Sequence, residues 1–472
     1  MDKQLAADLA AQAKIIEATA KGAADFLTGL DTRPPQAAFP QRPLTKLPDE
    51  GLGAARAEEI FQRDYLPYVP ASTGPRYFGY VIGGVTPAAL AGDWYASAID
   101  QNAFGHPGSF DRQIEAEAIG MIRELLGLSD EFSGVFVSGA TTSAFVAMSC
   151  ARQWAAAKSG HSASEEGLYG LPRPEVASGL AHGANYKALT MAGMGRQVKS
   201  LPLLPGREAV DIRAVEAFLA GRDQSLPLIY IANMGTASSG DLDDLNAVAA
   251  LKEKYGFWLH VDGAFGGMMA SVPEYRHLFT GLAAADSITM DTHKWLNVPY
   301  DGAVILVKNK DYQFQAFTNA TSALGAAPED VPHYSLTPEG SRRLRALPAW
   351  FSLMAYGRKG YADICRRNVE LCVYYGEKVR KSDCFRLLNE VRCNVVAFTL
   401  TIPEEKITPS LIQEILDEVE KEGVTYSNYV PYQGRPALRV CMTNWRTEAA
   451  DVDAAFASME RAARKVLARH QL

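Results

Sequence analysis

Short apolar runs recur through the middle of the chain, each followed by a stretch whose apolar positions repeat at helical spacing. The runs lie at 134–137, 176–180, 227–232, 257–261, 287–290 and 303–307. Several are apolar on both faces, as parallel strands covered on both sides by helices must be. Helical periodicity falls between them at 142–157, 211–219 and 243–254. The alternation predicts a large α/β domain with a mainly parallel sheet over 86–360. A helix at 346–361 leads into strand-like 394–401, helical 409–422 and strand-like 436–443, which predicts a small C-terminal α/β domain over 361–472.

The first 85 residues read differently. Residues 1–30 form one alanine-rich amphipathic helix with Leu5, Leu9, Ile15, Ile16 and Phe26 apolar, ending near Gly29 before a proline-rich stretch at 31–43. Such an N-terminal helical arm (1–85) has little core of its own, so it is expected to pack on the rest of the molecule or on a partner subunit. Residues 318–333 follow neither period. A long loop of small residues in a compact chain is either a functional lid or disordered.

Composition narrows the classes. A chain of 472 residues with 47% hydrophobic, 10% aromatic and 21% charged content is that of a soluble globular protein larger than one ordinary domain. The net charge of −7 and the lack of a basic tract give no support for nucleic-acid binding. No apolar run approaches a bilayer's thickness and the start Met1-Asp2-Lys3-Gln4 lacks a signal-peptide core, so no membrane partner and a cytoplasmic location are expected. Six cysteines without a C-x-x-C pair read as reduced thiols, and no metal site is expected.

Chemistry-bearing residues follow the strands. Lys294, in Asp291-Thr292-His293-Lys294-Trp295, has few charged neighbours, a setting that favours a neutral, nucleophilic amine. Asp262 closes the nearly all-apolar run at 257–261, where a carboxylate is costly without a cationic partner. Gly263, Ala264, Gly266 and Gly267 then leave room for a flat group near the backbone. His182 follows the run at 176–180 and offers a ring that can stack and exchange protons near neutral pH. Ser138-Gly139-Ala140-Thr141-Thr142 joins a strand to a helix, where free N–H groups and the Thr141 hydroxyl suit a phosphate. The turn Asn233-Met234-Gly235-Thr236 adds a further hydroxyl, that of Thr236, for a phenolic oxygen. Each feature alone has a structural explanation. An amine, an acid, a ring and a phosphate cradle together are what a carbanion-forming cofactor needs from its protein.

In this order the segments resemble the group II pyridoxal-phosphate decarboxylases, which act on aromatic amino acids, glutamate and histidine. The resemblance runs from Gly74-Pro75-Arg76-Tyr77-Phe78-Gly79 through Ser341-Arg342-Arg343-Leu344-Arg345, and the His293-Lys294-Trp295 run is its most specific piece. It implies a fold-type-I architecture, a pyridoxal 5′-phosphate cofactor and a homodimer with the active site at the interface and exchanged N-terminal helices. Lys294 then resembles the Schiff-base lysine, Asp262 the pyridine-nitrogen partner and His182 the stacking base. Ala140, Thr141 and His293 resemble the phosphate contacts, with Ala264 under the ring. The expected reaction is decarboxylation of an L-amino acid, aromatic in class, to the amine and carbon dioxide. One departure matters: Ala323 falls where aromatic decarboxylases of the family carry a loop tyrosine that donates a proton. Members lacking it can divert the carbanion to oxygen and yield an aldehyde, which is the alternative product. Tyr334 or His333 is the substitute donor to look for, and Tyr80, Val81 and Phe104 are candidates for the pocket wall.

Overall fold

A computed structural model describes residues 1–318 and 331–472. The expected loop at 318–333, with Ala323, lies almost wholly outside the described residues. Two helices form the arm, α1 (Lys3–Thr28) and α2 (Ala54–Asp64), and neither buries a residue within this chain. Helices α3 (Pro87–Ile99) and α4 (Phe110–Leu126) lead into a seven-stranded sheet.

Its strands are β1 (Ser133–Val137), β2 (Glu175–Ser178), β3 (Lys199–Ser200), β4 (Leu228–Asn233), β5 (Trp258–Asp262), β6 (Ser287–Asp291) and β7 (Ala303–Val307). They lie in the order β1-β7-β6-β5-β4-β2-β3, and β7 alone runs against the rest. Between them run α5 (Ala140–Lys158), the single turn α6 (Ala163–Glu166), α7 (Gly183–Met191), α8 (Ile212–Gly221) and α9 (Leu245–Tyr255). Strand β4 shows why both faces are apolar. Ile229 and Ile231 pack with Ala144 and Ala147 of α5, while Tyr230 and Ala232 pack on the other face with Leu245 and Val248 of α9. The two-residue, exposed β3 carries no apolar run and was not expected.

After α10 (Lys310–Phe317), α11 (Ala346–Lys381) continues well past the expected end at 361. Gly357, at φ 58°, kinks this helix, and Gly357 and Gly360 dilute the periodicity there. Its Ala349, Leu353 and Cys365 belong to the large core, and its Cys372, Tyr375 and Val379 to a second one. That core lies beneath a four-stranded antiparallel sheet, β10 (Asn428–Tyr432), β11 (Arg435–Cys441), β9 (Val395–Leu400) and β8 (Phe385–Leu387), in that order. Helices α12 (Pro409–Glu422) and α13 (Ala449–Arg469) complete it. The bounds of α12 match the expected helix because Thr408 caps it, Pro409 opens it and the left-handed Gly423 closes it. No helix among the described residues is long and apolar enough to cross a membrane.

A buried ion pair ties α4 to the segment before α11. The Glu115 carboxylate accepts from Arg342 at 2.8 and 3.2 Å and from the Phe136 N–H at 2.7 Å, and the His333 ring lies 3.1 Å away. Burial pushes the Glu115 carboxyl up, but Arg342 and His333 outweigh it and hold the group well below the usual range. A depressed folded value contributes stability that is present above the unfolded value near 4.5 and is lost as pH falls through the depressed one. Arg342→Ala leaves a buried charge unpaired, so it is expected to cost about 3–5 kcal/mol in urea unfolding at pH 7. The deficit should shrink once the pH is taken below 4.5.

Candidate active site

The candidate residues converge because they follow the C-terminal ends of parallel strands of one sheet, the edge at which open α/β sheets bind ligands. Ala140 follows β1, His182 follows β2, Asp262 ends β5 and Lys294 follows β6. With Ala264, these line one cavity of about 510 Å³, closed on the far side by Pro431, Gln433 and Arg439 from the small domain.

The turn after β6 presents the Lys294 amine. Thr292 and His293 both donate backbone N–H to the Gly302 carbonyl, and the Gly302 N–H donates to His293 Nδ1 at 3.1 Å. Asn297, buried and at φ 55°, closes the turn. Its Oδ1 accepts from the Gly84 and Trp445 N–H groups at 2.8 and 3.1 Å, and its Nδ2 donates to the Trp295 and Thr443 carbonyls at 2.8 and 2.9 Å. At Gly83 a Cβ would stand 1.9 Å from the Lys294 carbonyl oxygen, so only glycine permits this approach. Lys294 Nζ lies 3.1 Å from the buried Asp291 carboxylate, whose other oxygen has no partner. Burial pushes Asp291 up, and Lys294 and His293 together pull it below its ordinary value.

Asp262 has the opposite environment. It accepts from Asn185 Nδ2 at 2.7 Å and from the Ala264 N–H at 3.2 Å, and no cation among the described residues pairs with it. The buried His260 cannot serve: burial pushes it down to about 4, against the pull of Asp262. Across the cavity His182 caps α7, its Nδ1 accepting the Ala184 N–H at 3.2 Å. That bond leaves Nε2 as the proton-bearing nitrogen.

Three expected residues are not on the cavity wall. Thr141 sits beside Ala140 in the first turn of α5, which no side chain caps. His293 reaches that turn, since a Cβ on Gly139 would lie 3.5 Å from its Cε1. Thr236 is turned away: its hydroxyl donates to Glu208 at 2.7 Å and lies 3.1 Å from the Ser239 hydroxyl. Tyr80 and Val81 do line the cavity, both at positive φ (53° and 58°), a strained conformation for non-glycine residues. Phe104 packs instead against Tyr334 and His106. His333, one of the two substitute donors, is taken up by Glu115.

The residues present fit a phosphorylated pyridine aldehyde. An uncapped helix start suits its phosphate, an unpaired carboxylate its ring nitrogen, and a clamped lysine its aldehyde. Comparison with known proteins agrees. The family model for the pyridoxal-dependent decarboxylase conserved domain matches residues 47–401. The chain belongs to the pyridoxal-dependent decarboxylase family. Its cofactor is therefore pyridoxal 5′-phosphate, and the enzyme is a carboxy-lyase. Tryptophan decarboxylase 2 of Oryza sativa subsp. japonica is 26% identical over 428 residues, covering 86% of this chain and 84% of the relative. Phenylacetaldehyde synthase of Arabidopsis thaliana is 26% identical over 436 residues, covering 85% and 84%. The crystal structure of Oryza sativa TDC with PLP and tryptamine superposes with a TM-score of 0.87 at 22% identity over 98% of this chain and 99% of that one, which bears out the fold-type-I expectation.

Sequence reasoning missed Asn185, Glu208, Asn297 and Arg439. Only Arg439 had a visible signal, a charge inside an otherwise apolar strand. Asn297→Ala removes a left-handed asparagine and strands buried groups of three segments, so a loss of about 2–4 kcal/mol is expected. The variant should also release cofactor faster on dialysis, measured by its visible absorbance.

Proposed function

We propose that this decarboxylase converts an L-amino acid, aromatic in class, to the amine and carbon dioxide. The observation that carries the reading is one cavity holding Lys294, the uncompensated Asp262, the His182 ring and a buried arginine, Arg439. When bound, pyridoxal phosphate supplies an electron sink for the bond that breaks. Lys294 is the amine that would hold the cofactor aldehyde. Asp262, held in place by Asn185 Nδ2 and the Ala264 N–H, would partner the ring nitrogen. His182 would stack on the ring, with Nε2–H as its exchangeable proton. Arg439 is the cation available to orient the substrate carboxylate, and Tyr80 and Val81 line the cavity beside it. Ala140, Thr141 and His293 would hold the phosphate, and Ala264 would leave room for the ring. Thr236 acts through Glu208 rather than by direct contact.

A second reading, aldehyde formation by decarboxylation coupled to oxidative deamination, is favoured by Ala323 at the place of the loop tyrosine and by the similarity to phenylacetaldehyde synthase. An amino-acid panel scored for carbon dioxide, amine, aldehyde and peroxide separates the two. Amine equal to carbon dioxide without peroxide supports the first, and aldehyde with peroxide the second. A keto acid would point to transamination and count against both. Asp262→Asn is expected to lower kcat by about 10²–10³-fold while leaving the absorbance of the Lys294-bound cofactor in place.

We also infer a cytoplasmic homodimer with the active site at the interface. Leu5, Leu9 and Ile16 on α1 and Phe61 on α2 stay exposed in the single chain, an apolar surface that a second arm would cover. Removal of residues 1–30 should shift the native mass from dimer to monomer by light scattering; an unchanged mass would remove that role from the arm.

A further inference from the structure

Glu208 is an acid in the cavity without a counter-charge among the described residues. It is 3% exposed, lies in the loop between β3 and α8, and shares the wall made by Leu203, Gly235, Pro431 and Gln433. Both hydroxyl bonds it accepts, from Thr236 and Ser239 at 2.7 Å, fall on Oε2. Oε1 has no hydrogen-bond partner within the described protein. The adjacent Arg207 does not neutralise it, because its guanidinium is engaged by Asp241 at 2.6 and 3.1 Å. Nor do the other cations of the cavity: Lys294 pairs with Asp291, and Arg439 donates to the Ala237 carbonyl and Asn428. Glu208 lines the cavity with both of its hydroxyl bonds on one oxygen, so Oε1 is open to a donor carried by a ligand there.

We propose that Glu208 is a specificity determinant that reads the substrate side chain, accepting on Oε1 an N–H or O–H donor carried at its end. The preferred class is amino acids whose side chain ends in an indole or imidazole N–H, a phenol or an ammonium. Side chains ending in a carboxylate are repelled, and purely apolar ones leave Oε1 unsatisfied. A site built to bond a donor discriminates strongly against the analogue lacking it, since its own polar group is then stranded. This rests on the decarboxylase reading above and adds the chemistry of the substrate.

The test compares near-isosteric pairs, L-tyrosine with 4-methyl-L-phenylalanine and L-tryptophan with 1-methyl-L-tryptophan, in the holoenzyme. Two readouts are taken: kcat/KM from carbon dioxide release, and apparent Kd from the change in the cofactor's visible spectrum on binding. The wild type should favour at least one donor-bearing member by about tenfold or more, mainly through KM and Kd. In Glu208→Gln the amide oxygen can still accept from Thr236 and Ser239, so thermal midpoint and cofactor absorbance should hold while the preference falls to within about threefold. Glu208→Asp, which keeps the charge, should retain part of it. A preference absent from the wild type, or equal in wild type and Glu208→Gln, overturns the proposal and leaves the decarboxylase reading standing. Binding preference that responds to Glu208→Gln without any carbon dioxide release would instead overturn the decarboxylase reading and keep the role of Glu208.

Discussion

The amine of Lys294 has to stand at the C-terminal edge of the sheet, and the turn at 292–297 is what carries it there. Asn297 holds that turn by bonding Gly84, Trp445, Trp295 and Thr443, so the large domain, the segment before α3 and the small domain all meet on one side chain. Satisfying all of its bonding capacity in a buried site fixes one geometry, because any shift strands several polar groups at once. The close backbone passage at Gly83 and the Asp291 carboxylate then set the path and end of the lysine chain. The other site groups need only follow their own strands to face it.

Charge is distributed in this site by what is left unpaired. Lys294, Arg207 and Arg342 each have a carboxylate partner within the chain. Asp262 and Glu208 have no cationic partner among the described residues, although both are removed from bulk water for most of their surface. A protein that leaves carboxylates in that condition gains stability when a cation or strong donor arrives, so affinity and specificity come from the same deficit. The strained Tyr80 and Val81 belong to the same economy: their unfavourable backbone persists because the packing around Tyr426 and Asn428 over-determines it.

The sequence made much of this legible where local signals are strong. The doubly apolar runs located β1, β2, β4, β5, β6 and β7, and Thr408, Pro409 and Gly423 bounded α12. Order along the chain, with each candidate after a strand, was enough to anticipate that Ala140, His182, Asp262, Ala264 and Lys294 would meet. Tertiary partnerships were not legible. Nothing near Thr236 indicates that its hydroxyl turns to Glu208, 28 residues upstream, and nothing near His333 indicates an ion pair with Glu115. The extension of α11 past 361 was hidden because two glycines interrupt a pattern that packing on both cores sustains.

The central claim is that Lys294, and no other lysine, carries the cofactor. Borohydride reduction of the holoenzyme fixes the lysine–cofactor bond as a stable amine, and peptide mass spectrometry then locates it. The account predicts the added phosphopyridoxyl mass on the peptide that contains Lys294 alone. The same mass on another lysine, with the Lys294 peptide recovered unmodified, would contradict it.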